Sequence, residues 1–153
     1  MRKNYTLSLE LDSIKADIDK YFIASISDNG HLSYQNTYRK SNILSTRTRT
    51  LGDFIVSKDT IAPTIRPSNF QDGQWLSNFK TLKLIITDDL SGINSYKATI
   101  NNQWVLMEYE YKENTLTYDL SDIDFEDTTH RLEVVVTDNV GNSTTYKAVF
   151  HQK

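Results

Sequence analysis

Three histidines, His31, His130 and His151, are the side chains of this sequence best suited to general-base catalysis near neutral pH or to zinc ligation, and none has a companion histidine close by. No G-x-S-x-G elbow, glycine-rich phosphate loop or H-E-x-x-H helix accompanies them. The lack of cysteine removes thiolate metal sites and thiol nucleophiles together. Carboxylates are more numerous, with Asp119, Asp122, Asp124, Glu126 and Asp127 in one cluster and Asp88, Asp89 and Asp138 elsewhere. Hard oxygen ligands of this kind suit calcium. The EF-hand spacing is missing, however, and Asp and Asn open turns by bonding to their own backbone. The chain is therefore read as carrying no cofactor and no metal, with calcium at these carboxylates as the alternative. Aromatics offer the other option. Trp75, Trp104, Tyr109 and Tyr111, with Tyr118, are candidates for a platform that stacks on sugar rings, or else they fill the core.

The elements that must position these groups alternate with period two. Tyr5, Leu7, Leu9 and Leu11 face one way while Thr6, Ser8, Glu10 and Asp12 face the other, the pattern of a half-buried antiparallel strand. Further strands are expected at Tyr21 to Ser27, from Leu32 through Tyr34 toward Tyr38, at Ile43 to Thr50 and at Phe54 to Ser57. Asp28-Asn29-Gly30 serves as a hairpin turn. Ile14 and Ile18 allow a short helical stretch within Asp12 to Lys20. Arg47 and Arg49 share a strand face, read as a solvated face or an edge protected by charge rather than a binding stripe. Both prolines, Pro63 and Pro67, fall in one stretch that suits a connector or a sheet edge, and a boundary is placed there: a β-rich unit over 1–60 and a sandwich over 61–153.

The second half contains an echo at an offset of 50. Leu82 to Ile100 aligns without gaps to Leu132 to Phe150, matching Thr87 with Thr137, Asp88 with Asp138 and Tyr96 with Tyr146. Each copy is a strand, a polar turn and a returning strand. With Gln103 to Tyr111, Thr115 to Leu120, the turns Asn101-Asn102 and Lys112-Glu113-Asn114, and an entering strand at Thr60 to Arg66, the count reaches about seven strands. This is the size of an immunoglobulin-like or fibronectin-type β-sandwich. Without a disulfide across the sheets, Trp104 and Tyr96 or Tyr146 are expected to fill the space between them.

Composition excludes several partner classes. Residues 1–60 hold 9 Lys/Arg against 7 Asp/Glu and residues 61–153 hold 8 against 13, so +2 and −5 sum to the net charge of −3. Neither half has the basic surplus that phosphate backbones require. No apolar stretch is long enough for a transmembrane helix.

Three runs carry a family resemblance: Asp59-Thr60-Ile61-Ala62-Pro63-Thr64-Ile65, Thr87-Asp88-Asp89-Leu90-Ser91-Gly92-Ile93, and Thr137-Asp138-Asn139-Val140-Gly141-Asn142. Their pattern is similar to that of bacterial extracellular Ig-like modules. Together with Leu44 to Gly52 it resembles the C-terminal accessory region of lysostaphin-type (LytM-like) zinc endopeptidases of Bacteroidetes. The resemblance covers residues 40 to 153. It implies an exported parent protein, in the periplasm or at the cell surface, that cleaves peptidoglycan cross-links through a peptidase domain preceding Met1. The family's H-x-x-x-D and H-x-H zinc motifs have no counterpart here. Gln35 stands four places after His31, and Leu132 and Lys153 stand two places after His130 and His151. The chain itself is accordingly expected to be non-catalytic, positioning or regulating the missing domain. The alternatives are a carbohydrate or cell-wall binding module and an adhesin-like spacer. Exposed aromatics in a groove favour the binding module, and an apolar patch on the N-terminal half favours docking.

Overall fold

The computed structural model describes residues 3–124 and 126–153, which fall into two units. The first comprises residues 1–61 together with 89–92 and 139–142, and the second comprises 62–88, 93–138 and 143–153.

In the first unit the alternating segments form β1 (Tyr5–Glu10), β2 (Tyr21–Ile26), β3 (Leu32–Gln35), β4 (Thr37–Lys40), β5 (Ile43–Thr48) and β6 (Asp53–Lys58), with a single 3-10 turn at Ile18–Lys20 in place of a longer helix. They build two three-stranded sheets, β1-β5-β4 and β3-β2-β6. Consecutive residues Phe22, Ile23 and Ala24 of β2 are all buried, because this central strand is covered on both faces. Phe22 and Ala24 pack against Leu90 and Val140 from the two short segments 89–92 and 139–142, and Ile23 points the opposite way. A buried threonine joins the sheets: Thr37 Oγ1 accepts the Ile23 N–H at 2.9 Å and donates to the Gln35 carbonyl at 2.6 Å. Arg39 Nε donates to the Tyr21 carbonyl at 3.0 Å.

The second unit holds β7 (Thr64–Pro67), β8 (Gln74–Trp75), β9 (Thr81–Thr87), β10 (Ile93–Ile100), β11 (Gln103–Val105), β12 (Glu108–Glu110), β13 (Thr115–Asp119), β14 (Thr129–Asp138) and β15 (Ser143–His151). A five-stranded sheet, β11-β10-β14-β15-β8, packs on a four-stranded one, β12-β13-β9-β7. This is an immunoglobulin/fibronectin-like β-sandwich. Its core is mainly aliphatic, from Leu82, Leu84 and Ile86 of β9 to Leu132, Val134 and Val136 of β14, with Phe70, Tyr118 and Phe150 buried among them. Tyr96 and Tyr146 pack against it. Pro67 closes β7, an edge strand, where a missing donor costs no ladder bond.

Strand boundaries depart from the sequence reading in both units. The run from Leu32 toward Tyr38 is split, with β3 and β4 in different sheets. The stretch from Gln103 to Tyr111 is split: β11 belongs to one sheet and β12 to the other, with Leu106 and Met107 between them. Strand β8 pairs in parallel with β15, Phe150 opposite Gln74 and His151 opposite Trp75. Two residues give no period to detect, so this strand is invisible in the sequence.

Candidate functional site

The polar turn motifs are built into the first unit. Asp59 is 1% exposed. Its Oδ1 accepts the Ile61 N–H at 3.0 Å and its Oδ2 accepts the Ser91 N–H at 3.0 Å. Asn142 Nδ2 donates to the Asp59 carbonyl at 3.3 Å. Asn139 Nδ2 donates to the Ser91 and Gly92 carbonyls at 2.8 and 3.2 Å. Gly92 and Gly141 both turn the chain at φ +81, where a side chain would be strained. The apolar residues inside these polar turns, Leu90 and Val140, are echo partners fifty positions apart, and both pack on Phe22 and Ala24. The motif therefore does local structural work: a buried carboxylate gathers backbone donors, and two aliphatic side chains seat their turns.

The acidic residues elsewhere are mostly turn-formers or solvated. Asp119 caps the 3-10 turn at Leu120–Asp122, its Oδ1 accepting the Ser121 N–H at 2.9 Å and the Ser121 hydroxyl at 2.7 Å. These bonds hold its carboxyl below the usual range. Asp122, Asp124, Glu126 and Asp127 are exposed. In the second unit Asp88 and Asp138 bring carboxylate oxygens within 4.8 Å of each other.

His31 is exposed in the β2–β3 turn, its backbone N–H held by Ser27 Oγ at 3.1 Å. His130 is buried against Phe150, ring centroids 5.1 Å apart. Burial pushes its pKa down, Asp127 draws it partly back, and His151 adds to the lowering. His151 lies against Trp75, centroids 5.0 Å apart, and Thr129 Oγ1 is 3.1 Å from its Nδ1.

The four candidate aromatics do not form one platform. Tyr109 packs toward the core beside Tyr96, centroids 5.8 Å apart in an edge-on arrangement. Tyr111 is exposed beyond the end of β12. Trp104 and Trp75, at 64% and 52% exposed, lie on the two edge strands of the five-stranded sheet, β11 and β8. Trp104 is thus a correction to the expectation that it fills the sandwich. The reason lies in the turn before it. Asn101 and Asn102 both take positive φ, 51 and 65, as a two-residue type I′ hairpin requires. That turn places Trp104 opposite Thr99, whose neighbours Ala98 and Ile100 point inward. Trp104 therefore takes the outward side.

The same register carries a row of polar groups across the sheet: Trp104 opposite Thr99, Thr99 opposite Glu133, Glu133 opposite Lys147. Glu133 and Lys147 form an ion pair at 2.8 Å. The next row sets Arg131 opposite Val149, and the row after it Thr129 opposite His151, which faces Trp75. Asp72 Oδ1 accepts the Val149 N–H at 2.6 Å, and Lys153 Nζ lies 5.7 Å from the Trp75 ring centre. A concavity of about 400 Å³ lies on this face, lined among others by Asp72, Thr99, Asn102, Arg131, Glu133 and Lys147. Only the tryptophans had been visible from sequence. The polar row needed the register of β10, β14 and β15, which the hairpin turn and the echo could have supplied.

Residues 1–59 match the model of the Zu5-like domain family. Among curated proteins none matches the chain. The endo-β-1,4-mannanase from Thermotoga petrophila is similar in structure at a TM-score of 0.50 and 12% identity, covering 62% of this chain and 20% of that one. The fibronectin(III)-like modules of CbhA from Clostridium thermocellum align at a TM-score of 0.46 and 10% identity, covering 99% of this chain and 86% of theirs. The chain spans about a fifth of the mannanase structure, and at such identity the likeness is one of fold.

Proposed function

We propose that this chain is a non-catalytic accessory region of a larger cell-envelope enzyme, exported to the periplasm or cell surface, where it positions the catalytic part. The observation that carries this reading is the engagement of the motif residues. Asp59, Asn139 and Asn142, the polar residues of the resemblance motifs, hold backbone groups at hydrogen-bonding distance and build a framework. The mannanase likeness supports the role in outline, since there a similar fold is a fifth of a longer enzyme. The narrower reading, that the enzyme is a lysostaphin-type zinc endopeptidase acting on peptidoglycan, is supported by the three turn motifs and the Leu44 to Gly52 run. Sequencing the reading frame on either side of this segment tests both readings. A catalytic domain is expected, with H-x-x-x-D and H-x-H motifs for the narrower one. A frame with no enzymatic domain contradicts the proposal.

A further inference from the structure

The outward face of the five-stranded sheet has the chemistry of a binding site that the accessory role does not require. Its edges carry exposed indoles four strand spacings apart, roughly 19 Å across the sheet, and offset by four residues, roughly 13 Å, along the strands, a span that holds several sugar rings. Trp104 offers an apolar plane beside hydrogen-bonding groups, the combination that suits a pyranose, whose faces are CH-rich and whose rim is hydroxyl.

Charge narrows the class. The outward side chains of β10, β14 and β15 include three cations, Lys97, Arg131 and Lys147, and one carboxylate, Glu133. Glu133 is already paired with Lys147. At the margin Asp72 is engaged by the Val149 N–H and Lys153 stands over Trp75, so these two charges offset each other. The face is left with a surplus of two positive charges, although residues 61–153 as a whole carry −5. Among the described residues neither Arg131 nor Lys97 has an ion-pair partner. A cationic strip on an otherwise acidic unit repels anions everywhere except at that strip, so it steers them there. The Arg131 guanidinium is a planar fork matched to a carboxylate.

We infer that this face binds a carboxylate-bearing glycan, with Trp104 stacking on a sugar ring and Arg131, beside Thr99 and Asn102, receiving the acid group. The same chemistry is found in uronic-acid polysaccharides and in peptidoglycan, whose peptide stems carry free carboxylates beside the sugar chain. The site stands whether or not the neighbouring enzyme is a peptidase.

The test is isothermal titration of the whole chain with polygalacturonate, with soluble peptidoglycan fragments and with neutral glucomannan. Binding to either carboxylated polymer is expected, and which one binds identifies the source. Affinity is expected to fall severalfold as salt rises from ~0.05 M to ~0.5 M. Trp104→Ala and Arg131→Ala should each weaken binding about tenfold. Both side chains are exposed, so the melting temperature of each variant should match that of the parent chain. Silence with both carboxylated polymers, equal or tighter binding of glucomannan, or full affinity in both variants would overturn the inference.

Discussion

The turn cluster around Asp59 and the outward face of the five-stranded sheet are both rich in polar residues, but they use them in opposite ways. Around Asp59 the carboxylate oxygens and the amides of Asn139 and Asn142 are engaged with backbone groups, and the aliphatic residues between them are packed away. On the sheet face an indole stands 64% exposed, and a guanidinium lies beside a concavity of about 400 Å³. Hydrogen-bonding groups already engaged within the fold stabilise it, and those facing solvent remain available to a ligand. The residues that stand out as a motif are thus the framework. The residues proposed to recognise something carry no motif.

The comparison breaks most visibly at Asp59. Asp59→Ala leaves the buried Ser91 amide and the part-buried Ile61 amide without their acceptor, which should cost roughly 3 kcal/mol of stability. Urea denaturation reads this directly, and an unchanged midpoint would show that the turn cluster is not framework. Next come the face substitutions, Trp104→Ala and Arg131→Ala, which should move glycan affinity about tenfold, or ~1.4 kcal/mol, while leaving that midpoint in place.

A smaller effect separates the two sides of one strand. His130 points into the sandwich while Arg131, next in sequence, points out. Burial holds the folded-state pKa of His130 below the usual 6.5. The unfolded chain therefore binds a proton that the folded chain refuses. The stability associated with the neutral ring is complete above about pH 6.5 and declines as pH falls through the window beneath it. His130→Gln should flatten that decline in melting temperature. A slope that persists unchanged would assign it to other groups. Smallest is Ser91→Ala. Among the described residues the buried Ser91 Oγ has no hydrogen-bond partner. Its removal should be neutral or stabilising by up to ~1 kcal/mol, with the Asp59 bond to the Ser91 N–H intact. A clear destabilisation would mean the hydroxyl does bond.

Much of the architecture was legible because its causes are local. Alternation in β9 and β14 follows from burying one face of a sheet, and the Asn101-Asn102 turn follows from the tolerance of asparagine for positive φ. What failed were the consequences that travel through register. Trp104 looked like core because it is large and apolar, yet the turn two residues earlier fixes its side outward. Tyr109 and Tyr111 looked like a pair because they share a strand parity, but the chain leaves β12 before Tyr111. Leu90 and Val140 stand in the polar turn motifs with no pattern around them to show what they pack on. Their function is visible only once Phe22 and Ala24, distant in sequence, lie against them. The sheet-face concavity was out of reach for the same reason, since its lining comes from several strands and a loop.

The most direct test maps where a glycan touches the molecule. Backbone and indole NMR signals followed during titration with short oligogalacturonides or peptidoglycan fragments should shift at Trp104, Thr99, Arg131, Glu133 and Asn102, and stay fixed at Asp59, Ser91 and Asn139. Shifts gathered at 59–61, 89–92 and 139–142, with the sheet face silent, would contradict the division between framework and recognition.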